Sequence, residues 1–118
     1  GKPAGADVIA QTKQALENVE AVLAAAGCTM KDVIRFQTFL TGAEYIEGFM
    51  QTRREVFPAY FPGGAYPPNT LLVVSRLVRP ELLVEIEAMA VKPGRGGTAP
   101  KPKAKPRARK TRATRRRR

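Results

Sequence analysis

The fold is decided by one short stretch near the end of the apolar part of the chain, Leu83-Val84-Glu85-Ile86-Glu87-Ala88-Met89-Ala90-Val91. Charged and apolar residues alternate along it, which places Glu85 and Glu87 on one face and small or branched apolar residues on the other. A two-residue period of this kind predicts a β-strand with one buried face. We expect this strand to span residues 82–91.

Two helices are predicted upstream of this strand. Over residues 6–26 the apolar residues recur at intervals of three, four and seven, which is the spacing of an amphipathic helix. Asp7 suits its first turn and Gly27 its C-terminal end. Thr29 to Asp32 then resembles a short capping box. Helical spacing returns over residues 43–60 and indicates the second helix.

Two more strands are predicted at residues 33–40 and 70–77. The first is rich in β-branched and aromatic residues, and alternation places four of them on one side: Ile34, Phe36, Thr38 and Leu40. The order helix, strand, helix, strand, strand predicts an α+β fold with both helices on one face of the sheet. Such a small sheet leaves edges that need pairing or coverage. We therefore expect both additional strands before Gly1 and partner subunits.

Charge divides the chain into two parts. Thirteen of the 21 Lys and Arg residues lie in residues 92–118, which contain no Asp or Glu. The remaining eight cations face ten acids in residues 1–91, a net charge of about −2. We expect a folded domain over residues 1–92. Residues 93–118, rich in Lys, Arg, Pro and Ala, are predicted to be a disordered basic tail because they contain no large apolar residue.

Several classes of site are excluded by composition. The chain contains no His, which rules out Ser-His-Asp and Cys-His catalysis and the zinc sites that need imidazole ligands. We therefore expect no metal. The single Cys28 forms no internal disulfide and fits a small packed or partly exposed thiol. We find no apolar run of membrane-spanning length and no signal-peptide pattern, so we expect no membrane partner and a cytoplasmic location.

Several segments, in this order, resemble the RidA/YjgF family, the reactive intermediate deaminases also known as endoribonuclease L-PSP. They are Ala10-Gln11-Thr12-Lys13-Gln14-Ala15-Leu16-Glu17-Asn18-Val19, Glu55-Val56-Phe57, Tyr60-Phe61-Pro62 and the strand Leu83–Val91. The resemblance implies a chorismate-mutase-like α+β protomer, here lacking the family's N-terminal strands, and a homotrimer with clefts between subunits. It also implies hydrolysis of enamine or imine intermediates, such as 2-aminoacrylate, without a cofactor.

The resemblance assigns three candidate site residues. The family's catalytic Glu falls on Glu85. The family's substrate-carboxylate Arg, in a P-A-R-S segment, falls on Asn69, which offers hydrogen bonds but no charge. Thr70 falls on the following Ser. The chain therefore resembles the Arg-lacking members, and we expect weak activity on 2-imino acids.

Two alternatives remain for these charged residues. Glu85 and Glu87 on one strand face suit acid–base chemistry, but the same pattern is typical of a plain solvated face. Arg53 and Arg54 could supply a replacement cation for an anionic substrate, but the pattern favours a solvated helix surface with Glu47 and Glu55 nearby.

The basic tail gives a second functional hypothesis. Its cations suit non-specific binding to nucleic-acid phosphates, and a trimeric scaffold would present three such tails. The tail has no aromatic residue for base stacking and no apolar anchor for a membrane surface. An Arg-rich sequence of this kind also results from a shifted reading frame in GC-rich DNA. Endoribonuclease activity is a third hypothesis, which without His needs another base.

Overall fold

The computed structural model describes residues 7–94. In chain order its elements are helix α1 (Val8–Ala25), a 3-10 turn (Met30–Asp32), strand β1 (Val33–Leu40), a second 3-10 turn (Ala43–Tyr45), helix α2 (Ile46–Tyr60), strand β2 (Asn69–Val73) and strand β3 (Val84–Ala90). The predicted order and the α+β class are confirmed. Residues 95–118, most of the predicted basic tail, lie outside the described residues.

The ends of α1 are set by its neighbours in sequence. Asp7 is the N-cap rather than part of the first turn, and its Oδ1 accepts a hydrogen bond of 2.8 Å from the N–H of Ala10. Gly27 has a φ of +81°, so it reverses the chain at the C-terminal end as predicted. The N–H of Cys28 then donates to the carbonyl of Leu23 at 2.8 Å. These contacts satisfy backbone groups that the helix leaves unpaired.

The sheet is built around β1, with the strand order β2-β1-β3. β2 is parallel to β1, and Phe36 lies opposite Asn69. β3 is antiparallel to β1, and Phe39 lies opposite Glu85. Because α2 connects β1 to β2, the parallel pair has the crossover connection that parallel strands require. The first and last described elements, α1 and β3, are also in contact.

Both helices cover the same face of this sheet, as predicted. Phe36, Thr38 and Leu40 point toward the helices and are at most 2% exposed. The intervening residues point to the opposite face, which we call the open face. Its residues are Arg35, Gln37 and Phe39 on β1, Thr70 and Leu72 on β2, and Glu85, Glu87 and Met89 on β3. Within the described chain no helix covers the open face.

Four predicted boundaries or positions are corrected. Ile34, predicted on the buried side, is 48% exposed, because an irregularity between Val33 and Arg35 shifts the alternation. Strand 70–77 is shorter than predicted: β2 ends at Val73, opposite Leu40, where β1 itself ends. The predicted helix 43–60 begins with a 3-10 turn. The predicted strand 82–91 is also shorter than expected, because β3 spans Val84–Ala90.

Aromatic side chains form the centre of the core. The ring of Phe36 lies 5.6 Å from that of Phe57, and Phe57 lies 5.1 Å from Phe61. These tilted or edge-on arrangements are the ones that aromatic quadrupoles favour. A second buried cluster, which includes Val8, Leu40, Phe49 and Val84, joins the start of α1 to α2 and the sheet.

The two helices approach closely at Gly48. A Cβ atom placed on this residue would lie 2.5 Å from Cγ1 of Val8. The carbonyl of Gly48 also accepts a hydrogen bond of 2.8 Å from the hydroxyl of Thr52, which is fully buried. The absence of a side chain at residue 48 therefore permits the observed packing of α1 on α2.

Candidate functional site

The two carboxylates of β3 share the open face, as predicted. Glu85 lies opposite Phe39 and Glu87 opposite Gln37, and both glutamates are exposed. Neither carboxylate forms an ion pair or hydrogen bond with any residue from 7 to 94. Both side chains are therefore open to solvent without a partner in this range.

Thr70 lies on the same face as these glutamates. It is opposite Gln37 on β1, which is in turn opposite Glu87 on β3. Adjacent strands are about 4.8 Å apart, so Thr70 and Glu87 are about 10 Å apart across the sheet. The open face thus presents a row of three polar side chains.

Asn69 points to the opposite side of the sheet from Glu85. Its register partner Phe36 is buried against α2, and the hydroxyl of Thr38 donates to Asn69 Oδ1 at 2.9 Å. The two residues that the sequence assigned to one site therefore face away from each other within one protomer.

The outer edge of β2 adds backbone donors beside Asn69. The N–H of Phe36 donates to the carbonyl of Pro68, and the N–H of Val74 donates to the carbonyl of Leu40. Since successive residues of a strand direct their backbone groups to opposite sides, the even-numbered residues of β2 bond to β1. The N–H of Leu71 therefore points outward, away from β1.

A groove of about 570 Å³ lies between α1 and β3, and Glu85 is one of its lining residues. Most of its other lining side chains are apolar, and they include Ala15, Val19, Leu23, Val84, Ile86 and Ala88. Its volume is within the range typical of small-molecule sites, about 300–1,000 Å³. The sequence did not predict this groove, because it depends on how α1 packs beside the final strand.

The side chain of Gln11 connects α1 to the backbone just before β3. Its side-chain nitrogen donates to the carbonyl of Glu81 at 3.1 Å, and its oxygen accepts from the N–H of Leu83 at 2.8 Å. Gln11 is only 5% exposed. Sequence reasoning missed both Gln11 and the role of Thr38; the available signal was a polar residue on an otherwise buried face.

The two candidate cations of α2 differ in their contacts. Arg54 is exposed and pairs with Glu47 at 3.1 Å, as a solvated helix surface predicts. The guanidinium of Arg53 instead stacks on Phe57 and Tyr66, at 4.7 and 5.3 Å from the ring centroids. Its Nε is shielded from solvent without a hydrogen-bond partner in the described chain.

Two further groups have perturbed acidity. Burial raises the pKa of the Tyr60 phenol above its usual value of 10.0, and the charges of Glu20 and Glu17 raise it further. Hydrogen bonding to its own backbone N–H, followed by the contact with Arg79, lowers the pKa of the exposed Glu81 carboxyl.

Residues 7–94 contain neither a cluster of metal ligands nor a membrane-spanning helix. No three carboxylates or thiols in this range lie together as a metal ion would require. None of the helices in the same range is long and apolar enough to cross a membrane. Cys28 is buried.

Known proteins with similar sequences support one family. The family model described as Endoribonuclease L-PSP matches residues 1–92. The RutC family protein PH0854 of Pyrococcus horikoshii is 40% identical over 86 residues, covering 73% of this chain and 64% of the relative. TdcF of Escherichia coli, a candidate reactive intermediate deaminase, is 36% identical over 89 residues, with coverage of 74% and 65%. The chain thus spans slightly less than two thirds of the length of these relatives.

Solved structures agree with the sequence comparison. E. coli TdcF with bound serine has a TM-score of 0.68 and 31% identity, covering 75% of this chain and 68% of TdcF. Rv2704 of Mycobacterium tuberculosis, a member of the YjgF/YER057c/UK114 family, has a TM-score of 0.64 and 34% identity, with coverage of 75% and 70%. Together with the family-model match over residues 1–92, these similarities show that the chain belongs to the endoribonuclease L-PSP family, also called the YjgF or RidA family.

Proposed function

We propose that this protein hydrolyses reactive enamines and imines, with Glu85 as the acid–base residue. One observation carries the proposal: the carboxylate of Glu85 is exposed on β3 and has no partner among residues 7–94, and the residue borders the groove between α1 and β3. A carboxylate in this state is free to accept a proton from an attacking water. Family membership and the similarity to TdcF support the reaction class.

The chemistry needs only water and a group that exchanges protons. An enamine first tautomerises to the imine, and water then adds to the imine carbon while Glu85 accepts a proton from it. Return of this proton to nitrogen gives the carbinolamine. Transfer of the carbinolamine hydroxyl proton to nitrogen then forms the carbonyl as the carbon–nitrogen bond breaks. The products are a ketone and ammonia, so the reaction requires no cofactor. General acid–base catalysis of this kind contributes rate factors of about 10²–10⁴.

The position of Asn69 supports a site shared between subunits. Because Asn69 and Glu85 point to opposite faces of one sheet, a second copy must bring one of them to the other. The open face also carries exposed apolar side chains, Leu72 and Met89, at 42% and 51% exposure. We infer that the chain assembles as a homotrimer in which open faces meet and substrate clefts form between subunits.

Activity on 2-aminoacrylate is expected to be weak. Asn69 replaces a cation that would form a charge-assisted pair with the substrate carboxylate, a contribution of about 1.5–3 kcal/mol. Expressed in the transition state, its loss lowers the rate about tenfold to a hundredfold. Thr70, on the open face beside this position, is the remaining candidate for contact with substrate.

The test compares two glutamates on the same strand face. The full chain is supplied with 2-aminoacrylate formed in situ by β-elimination from β-chloroalanine, and the release of pyruvate and ammonia is measured above the spontaneous rate. Glu85→Gln should remove the catalysed rate, while the matched control Glu87→Gln should retain most of it. Equal rates for the two variants would contradict the role of Glu85.

A second candidate function rests on the sequence of the tail. Thirteen cations without an acid in residues 92–118 favour non-specific binding to nucleic acid. In this alternative the family domain is a non-enzymatic trimeric scaffold, and the tails provide the binding. Removal of the tail, described below, separates the two functions.

A further inference from the structure

We propose that Asn69, oriented by Thr38, selects substrates that carry a neutral carbonyl group where 2-imino acids carry a carboxylate. The substrate class is then the imines of 2-keto amides and 2-keto esters. This inference rests on the proposed hydrolase function and specifies its substrate.

Thr38 fixes the orientation of the Asn69 amide. The hydroxyl of Thr38 donates to Asn69 Oδ1 at 2.9 Å, and Thr38 is only 1% exposed. The acceptor end of the amide is therefore occupied by a buried, sterically fixed donor. The Nδ2 hydrogens have no partner among the described residues and remain available. Asn69 thus acts as a neutral donor toward a ligand.

A second neutral donor lies on the same strand. The N–H of Leu71 points to the outer edge of β2, because the backbone groups of the flanking residues bond to β1. Two uncharged N–H donors on one edge suit a carbonyl oxygen, which accepts up to two hydrogen bonds.

Three arginines of the described chain already contact other groups. Arg76 donates to the carbonyls of Leu77 and Val78 at 2.9 and 3.0 Å. Arg54 pairs with Glu47, and the guanidinium of Arg53 contacts the rings of Phe57 and Tyr66. A carboxylate bound at Asn69 would lose water without gaining an opposite charge, which is unfavourable. A neutral carbonyl group loses less hydration, and hydrogen bonds from the two N–H donors can offset that loss.

The proposed reaction is balanced with water as the only co-reactant. For the simplest case, 2-aminoacrylamide tautomerises to 2-iminopropanamide, and water adds to its imine carbon. The carbon–nitrogen bond then breaks to give pyruvamide and ammonia. The carboxamide is unchanged throughout, and its oxygen is the group that Asn69 recognises.

Binding of the two matched products tests this selectivity without relying on turnover. Pyruvamide and pyruvate differ at one position, where a neutral amide replaces the anion. We expect the full chain to bind pyruvamide at least about tenfold more tightly in an NMR titration, the scale of one hydrogen bond to a fixed donor. Asn69→Arg should reverse the preference in favour of pyruvate.

Variants of buried threonines test the positioning role. Thr38→Val should lower the ratio of pyruvamide to pyruvate affinity by about threefold to tenfold, since the amide is then free to rotate. Thr38→Ser, which keeps the hydroxyl, should restore the ratio. Thr52→Val is the matched control, because its hydroxyl is equally buried but bonds to Gly48; its ratio should equal that of the wild type.

The outcomes separate this inference from the proposed function. Tighter binding of pyruvate by the wild type, or no measurable binding of pyruvamide, overturns the inference. Catalysed hydrolysis of 2-aminoacrylate that is lost in Arg53→Gln also overturns it, because Arg53 would then supply the missing cation, although the hydrolase function would stand. Selective binding of pyruvamide with no Glu85-dependent hydrolysis of either imine would instead retain the selectivity and reject the hydrolase.

Discussion

Replacing Gly48 with Ala tests the close approach of α1 and α2. The new methyl group would lie 2.5 Å from Cγ1 of Val8, a side chain that is 7% exposed and stiff because it is β-branched. Overpacking of this kind costs about 1–3 kcal/mol. Ala is about 1 kcal/mol better than Gly inside a helix, which offsets part of the cost. We expect a net destabilisation of up to about 2 kcal/mol.

A double-mutant cycle isolates the steric term. In a Val8→Ala background the contacting atom is absent, so Gly48→Ala should stabilise the protein by about 1 kcal/mol through helix propensity alone. The change of sign is the specific expectation. Urea unfolding followed by circular dichroism, at one fixed protein concentration, measures all four proteins of the cycle.

Gly63→Ala is the control for this cycle. Gly63 lies in the loop after α2, its φ is not positive, and no heavy atom lies within 4 Å of the position of its Cβ. Its replacement should change stability by no more than about 0.5 kcal/mol. If Gly48→Ala stabilises the wild type as much as it stabilises Val8→Ala, then the two helices do not pack as described.

Three further predictions concern other parts of the chain. The pKa of Tyr60 is raised, so its phenol keeps its proton in the folded state at a pH where the unfolded chain ionises. Its contribution to the free energy of unfolding is therefore present below pH 10.0 and falls as the pH rises above that value. Tyr60→Phe should lose less stability than the wild type between pH 9 and about 11 in urea titrations. Gln11→Met leaves the carbonyl of Glu81 and the N–H of Leu83 without their partner, so the free energy of unfolding should drop by about 1–3 kcal/mol. A loss below about 0.5 kcal/mol would show that these two hydrogen bonds do not stabilise the domain. Removal of residues 93–118 should leave the melting temperature nearly unchanged but abolish binding to duplex DNA, which for the full chain should weaken by orders of magnitude between about 50 and 200 mM salt; equal affinity of the two proteins at the lower salt would end the nucleic-acid hypothesis.

Local sequence patterns predicted the helices and strands but not the features that depend on strand pairing. The alternation from Val84 to Ala90 depends only on neighbouring residues, and the structure confirms its two faces. The end of β2 depends on where β1 ends, so a pattern that continues to Leu77 could not reveal that pairing stops at Val73. Ile34 is exposed because of a local irregularity against β3, which single-strand periodicity does not contain.

The candidate site shows the same contrast between local sequence patterns and strand pairing. Motif matching identified Glu85 and Asn69 individually, since each occupies a recognisable position in sequence. Their relation in space depends on the register of two different strand pairs, one parallel and one antiparallel. Only this register shows that the side chains point to opposite faces, and the sequence carries no local sign of it.

The hydrogen bonds of Gln11 also constrain the order in which the domain forms. They connect residues 70 and 72 positions apart, so they close only after nearly the whole domain has been synthesised. α1 can appear early, but its partner β3 is made last, and such non-local pairing slows folding. A nascent chain that stops short of Val84 exposes one side of β1 as an unpaired edge, a surface prone to aggregation. We expect this domain to tolerate insertions in the loop between β2 and β3 far better than any truncation before its final strand.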